Sequence, residues 1–248
     1  MKKIFTLIAM FVFVLGAMAQ GQYFYEWKDG KYVQRSLSEV DSITFNLPDT
    51  PHQRVYKFVD LGLPSGTLWA DRNVGADSPE ASGDYFAWGE TTSKIDYNWN
   101  TYKWSEGSTK FPTKYCGHSS FDADNKTVLD LEDDAAYVNM GTDWRMPTYE
   151  ELCELYYECT WTWTTLNGTN GYTVTGHNGK SIFLPAAGSC TDILFQDKDV
   201  WGCYWSSSLY EAAGVEPYYA WRSCYSSNTQ YHQSDSRCYG HTVRAVVR

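Results

Sequence analysis

Strict alternation of apolar and polar residues appears in several places along the chain. "TWTWTTL" (160–166) alternates cleanly, and "GYTVT" and "KSIFLPAAG" follow it. Asn167-Gly168 and Asn178-Gly179 separate these runs, and Asn-Gly between alternating residues is the strongest short hairpin signal. "CYWSSSLY", "YYAWRSCY" and the closing "HTVRAVVR" extend the β pattern, the last alternating apolar and polar residues like an ordinary strand. Between residues 130 and 159 the period changes to that of helices. One helix is predicted to start near Asp130 in "DLEDDAAYVNMG", with acids in its first turn and Gly141 as its stop. A second starts at Thr148, where Thr148 and Glu151 form a capping box and Leu152, Leu155, Tyr156 and Cys159 share a face. Residues 91–125 show no period and read as long loops. Strands, two helices, then hairpin-linked strands make an α+β fold with a mainly antiparallel sheet.

The N-terminus divides differently. Lys2 and Lys3, the apolar run Ile4 to Leu15 and Ala17-Met18-Ala19 have the order of a cleaved signal peptide spanning 1–19. A small β module follows at 20–46, with a turn at Lys28-Asp29-Gly30 and a further strand in "SITF". "LPDTPHQ" marks a linker at 47–54, and the main domain occupies 55–248. Export is the expectation: secreted, at the cell surface or in the periplasm. No later stretch is apolar enough to span a membrane.

Charge narrows the partners. The net charge of -10 becomes -12 once Lys2 and Lys3 leave with the leader, which argues against nucleic acid. The seven cysteines are odd in number and show no disulfide framework or C-x-x-C pair. Cys153 and Cys159 point to different sides of one helix, and the cysteines read mostly as buried or incidental thiols. None of the five histidines has metal-ligand spacing, and Ser206 to Ser208 read as a strand of small hydrogen-bonding side chains. No cofactor is expected. Asp122, Asp124 and Asn125 begin like a calcium loop, but Lys126 and Thr127 break the EF-hand pattern, which leaves open only calcium bound in another way.

"VDLGLPSGTLWADRNVG", "GDYFAWGE", "NKTVLDLEDDAAYVNMGTDWRMPTYEEL", "KSIFLPAAG", "YWSSSLY" and "VRAVVR" resemble one family over Val55 to Arg248. It is the Fibrobacter succinogenes major paralogous domain, a group of exported bacterial proteins related to the C-type lectin fold. The resemblance implies two helices flanking a twisted antiparallel sheet, with first and last strands together. It also implies that "WRMPT" joins the helices and that Trp205 is core. Glu216-Pro217 is followed by Tyr218, so the signature of calcium-dependent sugar binding is missing.

Some proteins of this fold are diversified near the C-terminus by retroelements that mutate adenines. Such mutation yields Asn, Tyr, Ser, Asp, His and Cys, and never Lys, Gln or Trp. Lysine is absent after Lys198, and 218–241 is rich in the permitted set, Cys224 and Cys238 included, with Trp221, Gln230 and Gln233 then fixed. On this resemblance Tyr218, Tyr225, Ser227, Asn228, Tyr231, Ser234, Asp235 and Tyr239 form an exposed ligand-binding face. Tyrosine and serine also serve antibody paratopes, by contact area at low entropy cost and adaptable hydrogen bonding. The expected function is recognition or adhesion toward a protein or glycan at a cell or phage surface. The alternatives are a structural subunit of a surface assembly and an enzyme akin to formylglycine-generating enzymes, with Cys203, Cys224 or Cys238 reactive.

Overall fold

A computed structural model describes residues 23–28, 31–36, 55–107, 112–117, 123–212 and 217–247. The leader, "SITF" and the linker lie outside them. The chain separates into Met1–Gln53 and Arg54–Arg248. In the first unit β1 (Tyr23–Lys28) pairs antiparallel with β2 (Lys31–Ser36), in a register closing at Lys28↔Lys31, as the Lys-Asp-Gly signal predicts.

The second unit is α+β, with mostly antiparallel sheets and two α-helices among the described residues. No described helix is long and apolar enough to cross a membrane. One sheet runs β3 (Phe58–Asp60), β4 (Leu68–Ala70), β14 (Val246–Val247), β5 (Trp144–Arg145), so the last strand lies between strands from far earlier in the chain. A meander joins β6 (Thr160–Leu166), β7 (Thr169–Thr175) and β8 (Ser181–Pro185). The two Asn-Gly pairs make different turns. Asn167 and Gly168 are both left-handed (φ 49° and 88°), as a tight two-residue hairpin requires. In the second only Gly179 is left-handed, and its N–H donates to Gly176 O at 3.0 Å across a longer turn.

The helix at Thr148 forms as predicted. Helix α2 (Tyr149–Glu158) has both capping-box hydrogen bonds, and Arg145 grips Glu151 through two contacts of 2.6 Å. Leu152 and Leu155 are buried, while Cys159 has already left the helix as its extended C-cap. The earlier helix differs from expectation. Residues Leu131–Asp133 form a 3-10 turn, and α1 (Ala135–Met140) starts only after Asp134, whose carboxylate accepts Ala136 N and Tyr137 N. The preceding acids do not serve the helix dipole. Asp133 is drawn instead to Lys103 at 3.0 Å, Lys114 at 2.6 Å and the Tyr115 hydroxyl at 2.6 Å.

A third sheet, β11 (Gly202–Leu209), β12 (Tyr219–Ser226) and β13 (Thr229–Ser236), packs beside α2. All eight residues of β11 are buried. Trp205 opposes Arg222 and Leu209 opposes Ala220, so the triple serine bulges from the ladder. Its polar groups bond elsewhere: Ser206 Oγ to Trp221 O at 2.9 Å, Ser207 Oγ to Pro147 O at 3.2 Å, and Ser208 Oγ from Tyr149 N at 3.0 Å. Trp205 is core, with no exposure.

"HTVRAVVR" forms a shorter strand than its alternation predicts. His241 to Val246 are all buried, and only Val246–Val247 join a ladder as a strand. Its polar members turn inward because the interior offers partners. Thr242 Oγ1 donates to Cys203 O, and Arg244 donates to Asn73 Oδ1, Ala70 O and Phe183 O at 2.7–3.2 Å. Arg237 is equally buried, its guanidinium 4.8 Å from the Trp88 ring and donating to Tyr102 Oη and to Lys114, Tyr115 and Pro217 carbonyls.

Candidate recognition face

The expected binding residues are divided by the two-residue period of the hairpin that carries them. In an antiparallel pair, partners in register share a face and neighbours in sequence do not. The β12–β13 register sets Tyr225 with Gln230, Ser223 with His232 and Trp221 with Ser234 on one face. It sets Cys224 with Tyr231, Arg222 with Gln233 and Ala220 with Asp235 on the other.

The first face turns toward α2. Trp221 stacks on Tyr149 with centroids 4.0 Å apart, and His232 meets Tyr149 and Tyr156 edge-on. Both ring nitrogens of His232 are buried without a hydrogen bond, and burial lowers its pKa from 6.5. Tyr225, predicted to be exposed, is 1 % exposed and belongs to the core. It stacks on Tyr204, meets Tyr172 and Trp161 edge-on, and donates to Pro185 O at 3.1 Å. A Cβ at Gly202 would run into its ring, so the core is shaped around that side chain. The expectation for Tyr225 is therefore corrected: its register faces it inward. Ser234 shares that side and is half-buried.

On the opposite face Asp235 is a tie rather than a free carboxylate. It lies 2.9 Å from Arg222 Nε, close but not aligned as a hydrogen bond, and 3.0 Å from His241 Nε2. Burial alone would raise the Asp235 carboxyl, but the His241 hydrogen bond and Arg222 outweigh it and hold it below its usual range. Cys203 and Cys224 are register partners, Cα atoms 4.4 Å apart, and form a disulfide. For these two residues this corrects the expectation that the cysteines are mostly buried or incidental thiols. Positions directly opposite on adjacent strands are close enough to bridge, and register is what spacing does not reveal. Among the described residues Cys153, Cys159, Cys190 and Cys238 are free thiols.

What remains at the surface is narrower than expected. Ser227, Asn228 and Thr229 are exposed at the β12–β13 turn, where Asn228 Oδ1 accepts from Ser226 Oγ at 3.1 Å. Gln233 is exposed, and half-buried Tyr231 meets half-buried Trp201 edge-on at 5.8 Å. Tyr218 and Tyr239 are half-buried beyond the strand ends, Tyr218 against Trp99 at 6.0 Å and Tyr239 against a cluster holding Tyr97, Tyr102, Cys190 and Cys238. Thus Ser227, Asn228 and Tyr231 remain together on the hairpin, joined by Trp201, Thr229 and Gln233, which sequence reasoning missed.

Of the residues considered for calcium, Asp122 lies outside the described residues and Asp124 has other partners. Asp124 accepts four backbone N–H groups, from Tyr115, Cys116, Gly117 and Lys126, and orders its loop. Asp130, Glu132 and Asp133 cluster, but the Lys114 ammonium reaches them at 2.7, 3.9 and 2.6 Å. The cysteines considered for catalysis fare likewise. Cys203 and Cys224 are bridged, and burial pushes the Cys238 thiol up to about 12, far from thiolate at neutral pH. No protein-family model, curated protein or solved structure matches the chain.

Proposed function

We propose that the protein is an exported recognition or adhesion protein with a C-type-lectin-like domain, engaging a protein or glycan through the β12–β13 hairpin. The observation that carries this is the contrast within one hairpin. It is anchored by the Cys203–Cys224 bridge and the Arg222–Asp235–His241 ties, while its turn presents Ser227, Asn228 and Thr229 and its edge strand β13 presents Tyr231 and Gln233 beside Trp201. A rigid support under amphipathic side chains lowers the ordering cost of binding. The position of β14 between β4 and β5, and the short link from α1 through β5 to α2, support the fold reading.

The test is a glycan and surface-protein array probed with wild type and with a Trp201→Ala, Tyr231→Ala double variant. Wild-type ligands should be lost by the variant while its melt is nearly unchanged. Equal binding by both would place recognition elsewhere. Retroelement diversification belongs to the same proposal and has its own test: a neighbouring reverse transcriptase and a near-copy of the 3′ end. Variant copies should then differ at 227, 228 and 231 and agree at core Tyr225; copies that vary freely at 225 would contradict this placement.

A further inference from the structure

A separate surface carries a run of exposed apolar residues. Strand β10 (Leu194–Gln196) pairs with β9 (Ser189–Thr191) on one side, and among the described residues its other edge has no strand partner. Ile193, Leu194 and Phe195 are 67, 57 and 65 % exposed, and Val200 54 %. Isolated exposed apolar residues are ordinary, but three in succession at an open sheet edge mark an interaction site. The element is braced. Tyr97 and Asp192 exchange two backbone hydrogen bonds of 2.8 and 3.0 Å, Cys190 and Gly240 exchange two more, and Phe195 is held edge-on against Tyr85 at 5.4 Å.

Charge selects the occupant. Asp192 and Asp197 bracket the run, both in left-handed conformations that turn the chain away. Asp199 follows, and Lys198 is the single basic residue in 189–201. Among the described residues no cation pairs with Asp192 or Asp197. A second copy matches either the apolar run or the carboxylates, not both, because a two-fold antiparallel pair must centre on a residue. Centred on Leu194 it sets Ile193 against Phe195 but Asp192 against Gln196 and Asp197 against Thr191, with a cation at neither; centred on Phe195 it sets Asp192 against Lys198 but Ile193 against Asp197 and Leu194 against Gln196.

We propose that β10 is a docking edge for an extended segment of another protein, with aliphatic side chains over Leu194 and Phe195 and Lys or Arg meeting Asp192 and Asp197. Backbone pairing supplies the contact and the two carboxylates choose the partner's sign. The proposal does not rest on the Trp201–Tyr231 reading.

The experiment is fluorescence anisotropy with the whole exported chain and short labelled Val/Thr peptides ended by Lys, ended by Glu, or Lys-ended with alternate amides N-methylated. The Lys-ended peptide should bind about tenfold tighter than the Glu-ended one, and N-methylation should abolish binding. An Asp192→Lys, Asp197→Lys variant should reverse the preference. Phe195→Ser should weaken binding, and Trp201→Ala with Tyr231→Ala should not. Melts of each variant confirm folding. Equal binding of both charges, or binding of neither peptide, overturns the proposal. Self-association of the wild type that Phe195→Ser abolishes would assign the edge to a second copy and overturn it too.

Discussion

Replacing Tyr225 tests the division of the hairpin most directly, because core and binding-face readings give opposite outcomes. Tyr225 is 1 % exposed, touches Tyr204, Tyr172 and Trp161, and fills the space that Gly202 leaves. Truncating a buried aromatic to alanine costs ~3–5 kcal/mol through lost burial and the cavity left behind. Domains of this size have total stabilities of about 5–15 kcal/mol, so Tyr225→Ala should lower the midpoint by roughly 10 °C or prevent folding. Tyr225→Phe separates ring from hydroxyl. Pro185 O also accepts from the Tyr204 hydroxyl at 2.8 Å and keeps a partner, so that variant should lose only ~0.5–1 kcal/mol. Urea unfolding of the three proteins, with slopes compared as well as midpoints, measures both. A Tyr225→Ala protein as stable as wild type would refute the inward register and return Tyr225 to the surface.

Removing the bridge, by reduction or by Cys203→Ser with Cys224→Ser, should cost about 3 kcal/mol for a link across 21 residues, read as a lower melt; Cys238→Ser should not reproduce the effect of reductant. Thr148→Ala should cost ~1 kcal/mol and Glu151→Ala ~2 kcal/mol, because Glu151 also holds Arg145; equal losses would deny that second role. Burial lowers the His232 pKa from 6.5 in the fold, so the unfolded chain takes up the proton first. Stability should therefore fall as pH drops below 6.5, until the folded imidazole also protonates, and His232→Phe should flatten part of that slope. An unchanged slope in chemical denaturation across this window would contradict the uncompensated burial of the ring.

The parts of this fold legible in the sequence are those fixed by local chemistry. Thr148 and Glu151 cap α2 because their spacing lets each side chain reach the other's backbone, and Asn167-Gly168 turns because both residues tolerate positive φ. What was illegible depends on register. Tyr225 and Tyr231 look alike in composition, yet one lies in the core and the other beside Trp201. Cys203 and Cys224 become a pair only once β11 and β12 are aligned. Arg244 reads as the polar member of an alternating strand, although carbonyls contributed by β4 and β8 receive it inside. The Ile193–Phe195 run was visible as letters, but its exposure follows from β10 standing at an edge.

Arg237 and Arg244 also set an order of events during folding. Their acceptors include Ala70 O, Tyr115 O and Phe183 O, so buried carbonyls across most of the domain wait for groups on the one segment that leads into β14. Strand β14, which separates β4 from β5, docks in the same step. Before it docks, the sheet has a gap at its middle and these oxygens can be satisfied only by water. Local hairpins such as the one turning at Asn167-Gly168 need no such partner. The interior therefore dries only when this segment closes over residues far away in sequence, the late and slow kind of event that long-range pairing imposes on folding.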